Sequence, residues 1–219
     1  MSKLIGLILF LILYFWGFGS AQALENSFVT VVNPIRGEDF WQEQGQKIAT
    51  AVSGQLTILK EFDLPATWLI RFDALKVDEV TSILKSLPDH EKGLFLEVTP
   101  SWAEAAGVKY HKSSNWHAAG SAFLSGYERE ERLKLIDSAF EKFREVFNFY
   151  PKSVGAWWID SFSLEYIQKK YGITASLEVS DQYTTDDYQI WGQFWSTPYY
   201  PAKNNVLHPA KSQENKLPL

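Results

Sequence analysis

The feature that most constrains the fold is an alternation, from Ser27 onward, between short apolar runs and longer stretches with helical periodicity. Runs rich in β-branched and aromatic residues predict strands, and apolar residues three or four positions apart predict amphipathic helices. Five strands alternate with helices in this way. Because successive β-α units build a parallel sheet, the pattern predicts an α/β fold.

The predicted elements follow one another without an internal repeat or an interdomain linker. A Ser cap at Ser161 is expected to begin the last helix and Gly172 to end it. The stretch 99–127 is predicted to be a long functional loop, and residues 215–219 resemble the entry to a further strand. The predicted strands are 28–32, 66–72, 94–98, 154–159 and 173–179, and the predicted helices are 40–62, 78–87, 128–147 and 161–171.

Residues 1–23 have the layout of a secretory signal peptide. One lysine precedes an apolar run, and small residues then end in Ala-Gln-Ala at positions 21–23. The run is shorter than the roughly 18 to 20 apolar residues that usually span a bilayer. We therefore expect export to the periplasm, the cell envelope or the medium, with residues 24–219 as the mature domain. An uncleaved membrane anchor is the alternative.

Charge and composition exclude several classes of function. The net charge is -5 and no cluster of Lys and Arg is present, which argues against a nucleic-acid partner. Zero Cys excludes disulfides and thiolate chemistry. Aromatic residues make up 16% of the chain, including nine Trp, and such rings are common in carbohydrate sites.

Carboxylates occur where three predicted strands end. Glu97 lies in the otherwise apolar third strand, Asp160 follows the fourth and Asp181 follows the fifth. In parallel β-α folds the carboxyl ends of the strands converge on one mouth, so these three residues are the candidate catalytic groups. Each has an alternative. Glu97 could be a structural partner of Arg71, Asp160 could cap the next helix, and Asp181 could lie in a polar turn.

The candidate substrate-binding groups are aromatic or polar side chains in strand ends and loops. Six of the nine Trp, including Trp102 and Trp116, lie in such segments, where a sugar ring could stack. His111 and His117 are six residues apart, which is no recognised metal-ligand spacing, so a role in hydrogen bonding is favoured. The predicted substrate-binding residues are Trp157, Trp158, His117, Arg71, Trp191 and Trp195.

Three segments carry a resemblance to polysaccharide deacetylases of the NodB-homology type. They are LPATWLI at 64–70, HEKGLF at 90–95 and YPKSVGAWW at 150–158, each in the family's order along the chain. The resemblance covers about residues 27–200. It implies a deformed (β/α) barrel of the polysaccharide deacetylase or glycoside hydrolase type and a polysaccharide or cell-wall glycan as ligand. Five strands are fewer than a closed barrel needs, so the barrel is expected to be incomplete, with C-terminal truncation as one explanation.

The chain departs from the family where catalytic members hold a metal. Those members carry an Asp-Asp pair after strand one and a His-x-x-x-His motif after strand three. Here 33–39 read NPIRGED and 97–101 read EVTPS, so the usual ligands of a divalent metal are missing. No cofactor is therefore predicted, and the chain resembles a divergent branch of the family.

Three functions remain open from the residues. The first is a carbohydrate hydrolase with Glu97 and either Asp160 or Asp181 as an acid–base pair, which carboxylates engaged by Arg71 would contradict. The second is a glycan-binding or cell-envelope module that has lost the metal. The third is a deacetylase with replacement ligands, drawn from His111, His117, Asp160 and Asp181.

Overall fold

The computed structural model describes residues 30–40, 47–115, 118–178 and 198–219. Five parallel strands form one sheet in the order β1-β2-β3-β4-β5, so neighbours in sequence are neighbours in space. The strands are β1 (Val32–Ile35), β2 (Thr67–Arg71), β3 (Glu91–Phe95), β4 (Ser153–Gly155) and β5 (Ala175–Leu177).

Helices alternate with these strands. Because β-α-β connections are right-handed, a strand order without a reversal places the connecting helices on one face and leaves the other face concave. The result is a curled half-barrel, which confirms the predicted deformed and incomplete (β/α) barrel. The helices are α1 (Ile48–Glu61), α2 (Asp78–Lys85), α3 (Pro100–Ala105), α4 (Ala119–Ala122), α5 (Arg129–Phe147) and α6 (Ser161–Tyr171), with 3-10 turns at Ala74–Lys76 and Leu124–Gly126.

The main core lies between the sheet and the helices. Ile70, Leu94 and Val154 project from neighbouring strands and join Phe140 and Phe143 of α5 in one buried cluster. The alternate residues of the same strands point to the concave face. Arg71 and Glu97 lie on that concave side, which is why both can reach the mouth at the carboxyl end of the sheet.

Two glycines allow the strands to pack closely on the concave face. A Cβ at Gly93 would lie 2.6 Å from the carbonyl oxygen of Ser153, and a Cβ at Gly155 would overlap the side chain of Leu69. Leu69 thus fills the space that both glycines leave open. Any larger residue at Gly93 would have to push β3 away from β4.

The observed third strand is shifted from the predicted one. It spans Glu91–Phe95 because its register with β2 pairs Thr67 with Glu91, and its first two residues are polar enough to hide it from a search for apolar runs. The predicted strand 94–98 placed Glu97 inside the sheet. Glu97 instead lies just beyond β3, at the mouth.

Other boundaries also differ from the prediction. β1 continues through Asn33 and Pro34, which an edge strand tolerates because one side of its backbone needs no partner in the sheet. The predicted loop 99–127 contains α3, which Thr99 caps by accepting from the amide of Trp102.

The last helix and the C-terminal residues also correct two expectations. Helix α6 has the predicted bounds and ends at Gly172, with φ at 64°, but Asp160 rather than Ser161 caps its start. Strands β6 (Pro201–Ala202) and β7 (Asn205–Pro209) form an antiparallel hairpin. Lys216 pairs with Ala202, so the segment 215–219 joins this hairpin and does not begin a barrel strand.

Within the ranges described, no helix combines the length and the apolar character needed to cross a bilayer. The predicted signal peptide lies outside these ranges, and export stays a prediction.

Asp137 joins α5 to α6. Its carboxylate accepts hydrogen bonds from Tyr166 (2.8 Å) and Tyr171 (2.6 Å) and forms an ion pair with Lys170 at 2.8 Å. We expect Asp137→Ala to lower the free energy of unfolding by about 1–2 kcal/mol, because the hydroxyl group of the buried Tyr171 loses its acceptor. Urea unfolding measures the change. The control is Glu165→Ala, whose exposed ion pair with Lys169 should contribute less than about 1 kcal/mol, and equal effects of the two variants would contradict this role of Asp137.

Candidate functional site

A buried arginine stands at the centre of the mouth. Arg71 ends β2, is fully buried and binds two carboxylates at once. Its Nε and Nη2 each donate to Asp73 at 2.7 Å, and its Nη1 donates to Glu97. The planar guanidinium group suits this arrangement because its donors form a rigid fork. Arg71 therefore fixes the relative position of the chain after β2 and the chain after β3.

Glu97 is the carboxylate of the mouth that binds two arginines. It is fully buried and accepts from Arg71, from Nε of Arg36 at 3.2 Å and from Nε1 of Trp157 at 2.5 Å. A buried carboxylate is tolerated only when it is paired and hydrogen-bonded, and three donors meet that requirement. The contact between Glu97 and Arg71 agrees with the structural alternative considered for Glu97.

Asp73 anchors the chain that follows β1. Its carboxylate accepts from the backbone amides of Gly37 (3.1 Å), Asp39 (3.1 Å) and Ala74 (3.0 Å) in addition to Arg71. This single side chain thereby holds the segment 37–39 beside the end of β2. Asp39 continues the connection, since its Oδ2 accepts from the amide of Ser101 at 2.9 Å, near the start of α3.

The charges of this network keep Arg71 and Asp73 ionised. Burial alone lowers the pKa of Arg71, but the charge of Glu97 and the hydrogen bond and charge of Asp73 reverse that effect and raise it. Burial likewise raises the pKa of Asp73, yet the hydrogen bond and charge of Arg71, with the two backbone amides, lower it overall. Both groups are therefore charged at neutral pH, and neither has a free proton position for acid–base catalysis.

An aromatic wall stands beside these charges. Trp157 is partly exposed, its ring lies edge-on to Phe95 with centroids 5.8 Å apart, and the guanidinium carbon of Arg36 lies 4.7 Å from its centroid. Together with the bond from its indole nitrogen to Glu97, these contacts fix the plane of the ring. Tyr110 is also near the charges, since its pKa is raised by burial first and then by Glu97.

Trp158 extends the wall toward Phe123, with ring centroids 6.3 Å apart. The ring is partly exposed, but its Nε1 is buried and has no hydrogen-bond partner among the described residues.

Trp102 differs from the expectation for strand-end and loop tryptophans. It is fully buried in α3, stacks on Phe72 and donates to the carbonyl oxygen of Leu135 at 2.9 Å, so it is a core residue with no face for a sugar.

Asp160 makes structural contacts. Its Oδ1 accepts from the amide of Ser163 at 3.0 Å, its Oδ2 accepts from the hydroxyl of Ser163 at 2.6 Å, and Arg132 forms an ion pair with it at 3.1 Å. These contacts match the capping alternative. Glu97 and Asp160 are thus each already bound to an arginine. The contact between Glu97 and Arg71 contradicts the predicted acid–base pair of Glu97 and Asp160.

Several predicted residues cannot be placed. Asp181, His117, Trp116, Trp191 and Trp195 lie outside the described ranges, and their roles stay predictions. His111 stacks on Tyr127 with centroids 4.4 Å apart, and its Nδ1 lies 3.3 Å from the carbonyl oxygen of Gly120. Among the described residues, no three His, Asp or Glu side chains are grouped as metal ligands would be.

Arg36 and Glu178 are among the residues of the mouth that were not singled out as site residues from the sequence. Arg36 lies in the segment after β1, and a strand continuing to Ile35 would have placed it on the same face as Arg71. Glu178 directly follows β5 and is only 9% exposed, and both carboxyl oxygens lack a hydrogen-bond partner in the described part of the chain. Burial raises the pKa of Glu178 to about 7, and the opposing effect of the Ser176 hydroxyl group is smaller than that of burial. The sequence signal that could have identified Glu178 is an acidic residue at the end of a predicted apolar strand.

Comparisons with known proteins support the fold. A family model for a domain of unknown function with a solved structure (DUF3863) matches residues 110–217, slightly less than half of the chain. No curated protein sequence matches. A solved structure of a candidate glycoside hydrolase/deacetylase from Parabacteroides distasonis is similar over 87% of this chain and 43% of its own, with 16% identity and a TM-score of 0.57.

A second solved structure, of a candidate polysaccharide deacetylase from Mycobacterium smegmatis, is similar over 67% of this chain and 49% of its own. Its identity is 16% and its TM-score is 0.47. The chain thus spans less than half the length of either solved structure. The half-barrel, its strand order and the first likeness together lead to the conclusion that this chain has a divergent deacetylase-like fold.

Proposed function

We propose that this protein is an extracytoplasmic carbohydrate-active protein that binds a glycan at the carboxyl end of its sheet. The observation that carries the proposal is Trp157, a partly exposed indole whose orientation is set by Glu97, Phe95 and Arg36. A ring held in one plane loses little conformational entropy when a ligand packs on it. The predicted signal peptide supports a location outside the cytoplasm.

Glu97 and Asp73, the two carboxylates of the mouth that are bound to arginine, favour binding over hydrolysis. General acid–base catalysis needs a carboxyl group that can exchange its proton with the substrate. Glu97 is occupied by three donors, and Asp73 by Arg71 and three backbone amides. Their function in this arrangement is to hold Arg71, Arg36 and Trp157 in place. We therefore propose binding first, with hydrolysis as an outcome to be tested.

The charge of the mouth favours a neutral glycan. Arg36 and Arg71 are balanced by Glu97 and Asp73, with which they form short ion pairs. Asp39 adds a further acidic group at the rim. Because no excess positive charge remains among these residues, a polyanionic glycan would gain nothing from them. A β-linked neutral glycan presents flat sugar faces that suit an indole ring.

Binding is tested with the purified chain and insoluble cellulose, xylan and chitin. The hexasaccharide of whichever polymer is retained is then titrated by calorimetry. We expect Trp157→Ala to weaken binding about 30-fold, since a well-packed tryptophan at an interface contributes about 2 kcal/mol. The control variant is Phe62→Ala, because Phe62 is 63% exposed and follows α1 at the amino end of the sheet.

An equal loss in both variants, or unchanged binding by Trp157→Ala, would contradict the proposal. Product release is followed in the same samples, with and without a chelator. If the protein releases sugar and Glu97→Gln abolishes this release, the protein is a hydrolase. Hydrolysis would then replace binding as the first candidate function.

A further inference from the structure

The carboxyl ends of β4 and β5 are joined by long backbone hydrogen bonds. Beyond the strands, the amide of Ala156 lies 3.3 Å from the carbonyl oxygen of Leu177, and the amide of Ile159 lies 3.3 Å from that of Glu178. The equivalent bond between β3 and β4, from Leu96 to Gly155, is 2.7 Å long. Since long hydrogen bonds are weak, this junction is held less firmly than its neighbour.

Buried polar groups without partners also concentrate at this junction. Both carboxyl oxygens of Glu178, the hydroxyl of Ser176 and Nε1 of Trp158 are buried and unpaired among the described residues. Each such group costs free energy that solvent would relieve. Because a neutral carboxyl group costs less to bury than a carboxylate, the surroundings of Glu178 favour its neutral form.

We propose that Glu178 is a proton-controlled latch that closes the junction between the ends of β4 and β5 when its carboxyl group is neutral and opens the junction when that group ionises. In the closed state Glu178 is 9% exposed and holds Ile159 through its backbone carbonyl oxygen. In the open state the carboxylate reaches water, and the two long backbone bonds are lost. The unpaired Ser176 and Trp158 groups become solvated in the same step.

Among the residues that the structure describes, the ionisable neighbours of Glu178 do not provide a positive partner. Tyr199, which follows the undescribed stretch after β5, has its pKa raised by burial first and then by Glu178. On the β4 side, Asp160 follows Ile159 and is already paired with Arg132. Ser176, on β5 itself, offers only a hydroxyl group. No described cation is thus placed to stabilise the buried carboxylate, and opening is its route to solvation.

The latch is connected to the mouth through the chain between the two long bonds. Trp157 and Trp158 lie between Ala156 and Ile159, whose amides make those bonds. Opening the junction would release the backbone on both sides of the aromatic wall. Control of glycan binding by the latch rests on the proposed function, whereas the opening itself does not.

The direction of the pH effect follows from the two states. In the open state the carboxyl group has its ordinary value near 4.5, and in the closed state burial raises its pKa to about 7. Opening therefore becomes easier by about tenfold for each pH unit between about 4.5 and 7 and is constant outside that window. The total change is about 300-fold.

Native-state hydrogen exchange of the full chain tests the latch. Between pH 4.5 and 7.5, protection factors of the Ala156 and Ile159 amides should fall about 100-fold, and low concentrations of guanidinium should not affect this exchange because the opening is local. Glu178→Gln should abolish the fall. Glu165→Gln, on the surface of α6, should retain it.

A pH-independent protection of Ile159 would overturn the latch. The latch would also be overturned if exchange of the Ala156 and Ile159 amides depended on guanidinium as strongly as exchange of the β2 and β3 amides does. Such a dependence would mean that these amides exchange only when the whole protein unfolds. If Glu178→Gln does not fold, the pH and guanidinium series of the unmodified protein still decides.

The glycan test is separate: the hexasaccharide should bind Glu178→Gln more tightly than the unmodified protein at pH 7.5 and equally at pH 4.5. Equal binding at both pH values would overturn control of the mouth, while absence of all glycan binding would contradict only the proposed function.

Discussion

Arg71→Met is expected to lower the free energy of unfolding by about 3–5 kcal/mol, the largest effect of any single substitution proposed for this protein. The variant removes the cation between Glu97 and Asp73 and leaves two buried carboxylates without their main partner. Methionine retains much of the apolar volume of the arginine stem, so loss of packing is a minor part of the change. Equilibrium urea unfolding measures it.

Two further variants separate charge from packing. The triple variant Arg71→Met, Glu97→Gln and Asp73→Asn should recover part of the loss, because neutral amides cost less to bury than unpaired carboxylates. Glu141→Gln, which breaks the exposed pair with Arg144, should change stability by less than about 1 kcal/mol. A triple variant less stable than Arg71→Met alone would show that the ion network does not carry the stability of the mouth.

The second large effect is on the pH dependence of stability, through Glu178. Its pKa is about 7 in the folded chain, above the ordinary value of 4.5, so the folded protein binds the proton more tightly than the unfolded chain does. The stabilisation is therefore complete below about pH 4.5 and is lost as the pH rises through 7. At 1.36 kcal/mol per pKa unit, about 3 kcal/mol is lost over this window.

Urea unfolding at pH 4.5 and pH 7.5 measures this change. The comparison uses the difference between the unmodified protein and Glu178→Gln, because other groups that titrate in the window contribute equally to both. Between pH 4.5 and pH 7.5, the unmodified protein should lose about 3 kcal/mol of unfolding free energy relative to Glu178→Gln. A shift of less than about 1 kcal/mol would mean that Glu178 is solvated or paired in solution.

Glu97, Asp73 and Glu178 show two ways to bury a carboxylate. Glu97 and Asp73 lie between cations and hydrogen-bond donors, and these partners lower the pKa of Asp73, whereas Glu178 has no hydrogen-bond partner in the described chain and its pKa is raised to about 7. The first arrangement makes a rigid site and the second makes a titratable one. Glu97 accepts from Trp157, and the backbone carbonyl oxygen of Glu178 accepts from Ile159, the residue after Trp158.

Much of the fold could be predicted from the residue pattern, because the pattern reports which side of each element is buried. The long helix α5 has apolar residues at helical spacing, and α6 was predicted with its observed bounds. β3 could not be located correctly, since its first two residues are polar and only pairing with β2 defines where it starts. The shift of three residues decided whether Glu97 lies inside the sheet or at the mouth.

The site was predicted less completely because residue type does not reveal the partner. Glu97 and Arg71 were both selected as site residues, and a contact between them was considered, but the sequence could not decide between pairing and catalysis. The position of Asp160 before a helix was consistent with both capping and chemistry. Trp102 and Trp157 have the same side chain and both follow strands, yet one is a core residue and the other faces the mouth.

The order of amino acids alone determined the α/β class, the number of parallel strands and the gathering of carboxylates and tryptophans at the carboxyl ends of those strands. These are properties of local periodicity and of the direction in which parallel strands run. Only the tertiary structure decided which of those groups are neutralised and which are not. Pairing depends on distances between residues far apart in the chain, such as Arg71 and Glu97, and burial of Glu178 depends on how the ends of β4 and β5 close.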